Sequence, residues 1–159
     1  KIISLANNKN IPTIVDPKKH NFLSYKNCTL FKPNLNEIKN GLDINPDINN
    51  FNEIETMTAK LRDLISAKAI LLTLSDKGIF LNTKDGSKLN ASTTSNVIDV
   101  SGAGDTVVSV AAMCLACHID FDELAILSNI AGGIVCEKVG VVPISNIELL
   151  NRAKEFLNV

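Results

Sequence analysis

Two short apolar runs rich in β-branched residues, IPTIVDP at 11–17 and CTLFKPN at 28–34, each end beside a proline and a polar residue. That pattern predicts two buried strands whose carboxyl ends deliver Asp16 and Asn34. From Phe51 the apolar positions fall at Phe51, Ile54, Met57, Leu61, Leu64 and Ile65, a helical spacing, and AILLTLS at 69–75 reads as a third buried strand. Strand, helix, strand is the unit of a parallel sheet. The stretch KGIFLNTKDGSKLNA at 77–91 predicts a hairpin around Asp85 and Gly86, and NVIDV at 96–100 a short strand after it. Three helices are expected beyond, over 104–117, 121–138 and 145–157. The fold class is therefore α/β, a mostly parallel sheet flanked by helices. Asp16, Asn34, Thr73 and Gly104, each following a strand-like run, are expected at the carboxyl edge of that sheet, where ligands of such folds bind.

Length and composition bound this picture without changing it. A chain of 159 residues, 45% hydrophobic and 21% charged, is ordinary for one globular unit with a real core. A net charge of −1 gives no bulk electrostatic reason to expect nucleic acid or an anionic membrane, so any anion site has to be local. Of the basic residues only Arg62 and Arg152 carry the fork-shaped guanidinium; the rest are lysines. No apolar run approaches the roughly 20 residues of a membrane helix. The amino end KIISLANNKN has neither an apolar signal core nor a cleavage pattern, so a cytoplasmic location is expected. The four cysteines, Cys28, Cys114, Cys117 and Cys136, then read as small hydrophobes rather than disulfide partners.

Chemistry concentrates in SGAGDTVVSVAAMCLACH, residues 101–118. A Gly-x-Gly between a strand and a helix lets backbone approach a ligand closely, and the first-turn amides with the helix dipole favour an anion there. Asp105 follows at once. A carboxylate beside an anion hole can take a proton from a hydroxyl while the amides hold the phosphoryl group under attack, which points to phosphoryl transfer. The plain alternative is a glycine turn with Asp105 complementing the helix dipole, and on the tetrapeptide alone the two stand level. A dinucleotide-binding fingerprint fits poorly, because Val107 stands at the third glycine position and Glu123 has no strand before it. At the other end, Cys114-x-x-Cys117-His118 has the spacing of a c-type haem attachment. It continues a helix apolar almost all round, so both thiols are expected in the core and no haem or zinc is expected.

These residues carry a resemblance. DVSGAGDTVVSVAA resembles the carboxyl-terminal signature of the ribokinase (PfkB) family of carbohydrate kinases, KPNLNE its Asn-x-x-Glu motif, TLSDKG its nucleotide loop, and SNIAGGIVCEKVG its late helix beside the adenine pocket. Within the family, IVDPK, LFKPNLNE and DVSGAGDTVVSV look most like the heptose-7-phosphate kinase domain of ADP-heptose synthases, enzymes of lipopolysaccharide core synthesis. The resemblance implies that Asp105 is the base activating the sugar hydroxyl, with the amides around Gly102, Ala103 and Gly104 stabilising the phosphoryl group in transfer. It implies that Asn34 and Glu37 organise magnesium through its waters, and that Thr73, Ser75, Gly78 and Lys18 contact ATP, with Asn129 near the adenine. Asp99 and Ser101 match positions that hold a monovalent cation such as potassium in some relatives.

Each residue also has a plain structural reading. Asn34 and Glu37 suit an N-cap with an acid in the first turn of a helix over NLNEIKNG, Asn129 could bond a backbone carbonyl, and Asp16 with Lys18 could form a turn. The resemblance spans essentially the whole chain but only the carboxyl-terminal, ATP-binding half of the family's kinase domain. The sugar-binding residues belong to the other half, so a phosphorylated sugar and ATP are the expected ligands and a missing half or an oligomer partner is expected along the sheet edge. With only His20 and His118, the chain has no His-x-Gly-His nucleotidyltransferase motif. A fragment of a working kinase, a non-catalytic nucleotide-binding remnant and half of a split enzyme all remain open, as does another sugar or nucleoside kinase of the family.

Overall fold

A computed structural model describes residues 1–157, so the last two residues of the domain assigned to 1–159 lie outside it. The element order is α1 (Ile2–Asn8), β1 (Ile14–Val15), a 3₁₀ segment (Lys19–Ser24), β2 (Leu30–Phe31), α2 (Leu35–Leu42), α3 (Phe51–Ile65), β3 (Ala69–Thr73), a 3₁₀ turn (Ser75–Lys77), β4 (Ile79–Thr83), β5 (Gly86–Asn90), α4 (Ala103–Ala116), α5 (Phe121–Cys136) and α6 (Asn146–Leu157). Where composition leads one to expect a single compact unit, the chain divides into two. The first comprises Lys1–Leu74 with Ile79–Leu89, and the second Ser75–Gly78 with the chain from Asn90 onward.

The first unit carries a five-stranded sheet in the order β1-β2-β3-β4-β5. β1, β2 and β3 run parallel, and β4 returns antiparallel to β3, so the sheet is mixed, its parallel half being the half that ends in Asp16 and Asn34. β3 can be apolar throughout because both its faces are covered; Ala69, Ile70, Leu71 and Leu72 are fully buried. Pleating sends Val15, Phe31, Ile70, Leu72 and Phe80 to one face, where α3 covers them with Ile54, Met57, Leu61 and Ile65 at helical spacing. Aromatic rings lock this core: Phe22 meets Phe31 edge-on at 5.3 Å, and Phe51 lies 5.2 Å from Phe80. Asn50 caps α3 by accepting from the Glu53 amide, and Ser66, at φ 53°, closes it in the left-handed conformation. The hairpin expected around Asp85 and Gly86 forms, with its turn one residue earlier, at Lys84 and Asp85, and Gly86 opening β5 at φ 144°.

The second unit is helical. α4 and α5 pack closely where Gly132 faces Val107, because a β-carbon on Gly132 would stand 3.0 Å from Val107 Cγ2. α5 starts at Asp120, whose carboxylate accepts from the Glu123 amide at 2.9 Å, and α6 lays Ala153 and Leu149 against Ile130 and Ile134. Arg152 grips Glu137 with two hydrogen bonds of 3.0 and 2.8 Å. That grip holds the Glu137 carboxyl below the usual carboxylate range.

Two expectations fail here. Residues 96–100 form no strand; the amides of Ile98 and Asp99 both donate to the Cys136 carbonyl at the end of α5 instead. And the two thiols of Cys-x-x-Cys-His do not share a buried face. Cys114 is 4% exposed, whereas α4 ends at Cys117, which is exposed and serves as its C-cap, with His118 turned into the left-handed region at φ 58°. Burial pushes the Cys114 thiol above its ordinary pKa. Cys114→Ala is therefore expected to destabilise the protein by about 1–2 kcal/mol, and Cys117→Ala by less than about 0.5 kcal/mol, as read by urea unfolding. Among the described residues no helix is long and apolar enough to cross a membrane.

Candidate active site

In the first unit the parallel strand ends collect five of the residues singled out from sequence, Asp16, Lys18, Asn34, Glu37 and Thr73. Asn34 and Thr73 form a parallel bridge just beyond β2 and at the end of β3, fixed by the Thr73 amide donating to the Pro33 carbonyl at 3.1 Å. Asn34 is the N-cap of α2 in a full capping box: its Oδ1 accepts from the Glu37 amide, and its own amide donates to Glu37 Oε2, both at 2.8 Å. The plain structural role is thus filled, while Glu37 Oε1 stays outside the box and can still face water or a hydrated cation. One strand away, Asp16 Oδ1 pairs with Lys32 Nζ at 2.9 Å and its Oδ2 lies 3.7 Å from Lys18 Nζ. Lys32 was not singled out from sequence, although a lysine inside the buried run TLFKP is an anomaly that would have marked it.

The second unit brings together two motifs 51 residues apart, Gly78 and Asn129, on the stretch 90–92. Ser75 and Gly78 both have positive φ, 57° and 91°, and a β-carbon on Gly78 would overlap the Asn90 carbonyl oxygen and stand 2.6 Å from the Ser92 amide nitrogen. Asn129, buried in α5, donates through Nδ2 to the Asn90 and Ala91 carbonyls at 3.3 and 2.7 Å. Its plain reading is therefore also filled. Gly133, one turn on, lies so near Thr93 that a β-carbon would come within 2.5 Å of Thr93 Oγ1. The 90–94 stretch is consequently clamped from two sides.

α4 begins at Gly102, which is in the left-handed conformation at φ 79°, a geometry that favours glycine. No side chain caps this helix. The Ala103 amide donates to the Val100 carbonyl at 3.2 Å, and those of Gly104 and Asp105 belong to the first turn, which has no acceptor within the helix. Asp105 is exposed in that turn. Asp99 acts as a clip: Oδ1 accepts from the Ser101 amide and Oδ2 from the Gly140 amide, each at 2.9 Å. The Ser101 backbone and side chain first, then the Gly140 amide, hold its carboxyl below the usual range. Asp99 therefore binds fewer protons folded than unfolded in acid. Its contribution is complete above the unfolded value of about 3.9 and fades as pH falls through the lower folded value. The melting-temperature loss in Asp99→Ala is accordingly expected to be constant from about pH 7 to 5 and to shrink below about pH 4.

Among the described residues no three His, Cys, Asp or Glu side chains cluster as a metal cage. The donor set that exists, Glu37 with Asn34, suits a hard cation that keeps its waters and takes other ligands from a bound phosphate. An open depression along α6, lined by Ser145, Glu148, Asn151 and Arg152, contains none of the motif residues.

Residues 1–147 match the family described as pfkB family carbohydrate kinase. The chain is 36% identical over 150 residues to bifunctional protein HldE of Koribacter versatilis and 38% identical over 152 residues to that of Pasteurella multocida, covering 94% and 95% of this chain. It spans only 30% and 31% of the length of those two relatives. Among solved structures, phosphofructokinase-2 of Escherichia coli in complex with potassium superposes with a TM-score of 0.86 at 19% identity, over 99% of this chain and 51% of that one. Arabidopsis thaliana ribokinase complexed with ribose and ATP gives 0.80 at 20%, over 96% and 51%.

Proposed function

Because the chain belongs to the pfkB family of carbohydrate kinases, we propose that it is the ATP-binding half of a sugar kinase that phosphorylates heptose 7-phosphate at the anomeric hydroxyl. The observation that carries this reading is the start of α4: a left-handed Gly102, an uncapped first turn and an exposed Asp105 within it. The heptose branch is supported by the motifs IVDPK, LFKPNLNE and DVSGAGDTVVSV and by the identity to the bifunctional HldE proteins.

In this mechanism Asp105 accepts the proton of the sugar hydroxyl as that oxygen attacks the γ-phosphorus; the bond from that phosphorus to the β,γ-bridging oxygen breaks, and ADP leaves. Of the amides around Gly102, Ala103 and Gly104 that the resemblance implies, that of Ala103 is taken by the Val100 carbonyl, so those of Gly104 and the adjoining Asp105 face the charge on the phosphoryl oxygens. Thr73, Ser75 and Gly78 hold the ribose and phosphates, Asn129 shapes the adenine edge through its grip on 90–91, and Lys18 meets the polyphosphate. Glu37 Oε1 and Asn34 would hold the waters of a magnesium ion, which would neutralise phosphate charge. Asp99 and Ser101 shape the loop where potassium would bind. The remainder of the kinase, beyond the part spanned here, supplies the residues that orient the acceptor, and the protein acts in the cytoplasm.

The test is ADP release by the full-length protein with ATP, magnesium and a panel of acceptors. Heptose 7-phosphate is expected to give the highest kcat/KM. A higher value for ribose, fructose 6-phosphate or a nucleoside would move the protein to another branch of the family, and ATP binding without turnover on any acceptor would mark a non-catalytic remnant.

A further inference from the structure

One charged group at the parallel strand ends has no place in the mechanism above. The side chain of Lys32 is only 3% exposed, and the cation partner resolved for Asp16 Oδ1 is its ammonium, at 2.9 Å. The two residues are register neighbours: β1 and β2 pair Val15 with Phe31, and the Lys32 amide donates to the Val15 carbonyl at 2.8 Å. Alternation along the strands puts Asp16 and Lys32 on the face opposite the Val15 and Phe31 side chains. An ion pair with one partner this buried is weak support for stability, since apolar residues of similar volume commonly do as well or better. Its charge therefore calls for another use. Asp16 is 28% exposed and turns Oδ2 outward to Lys18, whose side chain is 77% exposed. A line of alternating charge thus runs from the covered Lys32 through Asp16 to an open ammonium. It carries a net positive charge at the carboxyl ends of parallel strands, in a chain whose overall charge is −1.

We propose that Lys32 is a positioning residue: it fixes the Asp16 carboxylate, which in turn tethers the Lys18 ammonium at the strand ends to receive the polyphosphate of the nucleotide. This rests on the kinase reading. The role predicts an effect on phosphate affinity that is indirect, shared by all three residues and absent for a ligand without phosphates.

The experiment compares Lys18→Met, Asp16→Asn, Lys32→Met and Lys32→Arg in the full-length protein, reading KM for ATP, kcat, and calorimetric affinities for ATP and adenosine. The first three are expected to raise KM for ATP about tenfold, the scale of one charge-assisted contact, with kcat within about threefold and adenosine affinity unchanged. Lys32→Arg should return KM to within about threefold of the parent, and Asp16→Asn combined with Lys18→Met should be no worse than Lys18→Met alone. If Lys18→Met raises KM while Asp16→Asn and Lys32→Met leave it at the parent value, Lys18 works untethered and the proposal is wrong, with the kinase reading intact. Equal losses of ATP and adenosine binding would make the pair merely structural and also overturn it. Should Lys32→Met fail to fold, Asp16→Asn and Lys32→Arg decide by the same criteria. A parent protein that neither binds ATP nor turns over would refute the kinase reading and this inference together.

Discussion

Asp105→Asn in the full-length protein is expected to lower phosphoryl transfer by about a hundredfold or more while leaving ATP affinity within about twofold. Asparagine keeps the size and the hydrogen-bonding oxygen of the carboxylate but cannot take the hydroxyl proton, and a general base commonly contributes a factor of about 10²–10⁴. The side chain is exposed in the first turn of α4, and among the described residues no side-chain hydrogen bond or ion pair holds the carboxylate; the Ser109 hydroxyl donates to the Asp105 backbone carbonyl at 2.8 Å. The fold therefore has little stake in the carboxylate, and binding should separate from turnover. Calorimetry with ATP and single-turnover rates on the same preparation check this. Turnover at the parent rate would remove Asp105 from the base role, and a parallel collapse of ATP affinity would recast it as a binding group.

Gly78→Ala is expected to be the most damaging small substitution in the second unit, lowering stability by about 3 kcal/mol or more. Two penalties coincide. At φ 91° a side chain is strained by itself, on the order of 1–2 kcal/mol, and the new β-carbon would overlap the Asn90 carbonyl oxygen and crowd the Ser92 amide. Both obstacles are backbone, so no rotamer change relieves them. Because Asn129 donates to the same Asn90 and Ala91 carbonyls, the shift that accommodates the added methyl also loosens this buried contact of α5. Gly86→Ala is the matching control: φ there is also positive, at 144°, yet no atom lies within 4 Å of the added carbon. Urea unfolding should show Gly78→Ala far below Gly86→Ala. Equal losses would mean that conformation alone, and not the clamp on 90–92, sets the cost.

What could be read from sequence was what depends on local pattern. The spacing of Ile54, Met57, Leu61 and Ile65 announced α3, the apolar run at 69–73 announced β3, and Asp85-Gly86 announced the hairpin turn, because each is decided within a few residues. The start of α4 was legible for the same reason. The strand expected at 96–100 was misread because β-branched residues state a preference and not a partner; Ile98 and Asp99 find the Cys136 carbonyl, 38 and 37 residues away, rather than another strand. α1 left little signal, since none of its residues is fully buried and the face it lays on the core is short, Ile3 with Ala6 one turn on. Cys117 was misplaced because a helix end, not the apolar run, decides its exposure: the chain turns at His118 and leaves the thiol outside.

Site pairings reaching across the sequence were equally hidden. The Asp16 and Lys32 pair depends on the register of β1 with β2, and the Asp99 clip on a loop 41 residues away at Gly140. At Asn34 and Asn129 both the plain and the functional readings were visible in advance. The structure fills the plain one at each, a capping box and a grip on two carbonyls, and these bonds are what would hold the same side chains steady beside a nucleotide.

The most direct measurement is phosphorus NMR of heptose 7-phosphate incubated with ATP, magnesium and the full-length protein. The expected spectrum gains a second sugar phosphate resonance coupled to the anomeric proton, in step with the loss of the ATP γ-signal. An unchanged sugar with ATP intact, or ATP lost only to inorganic phosphate, would contradict it.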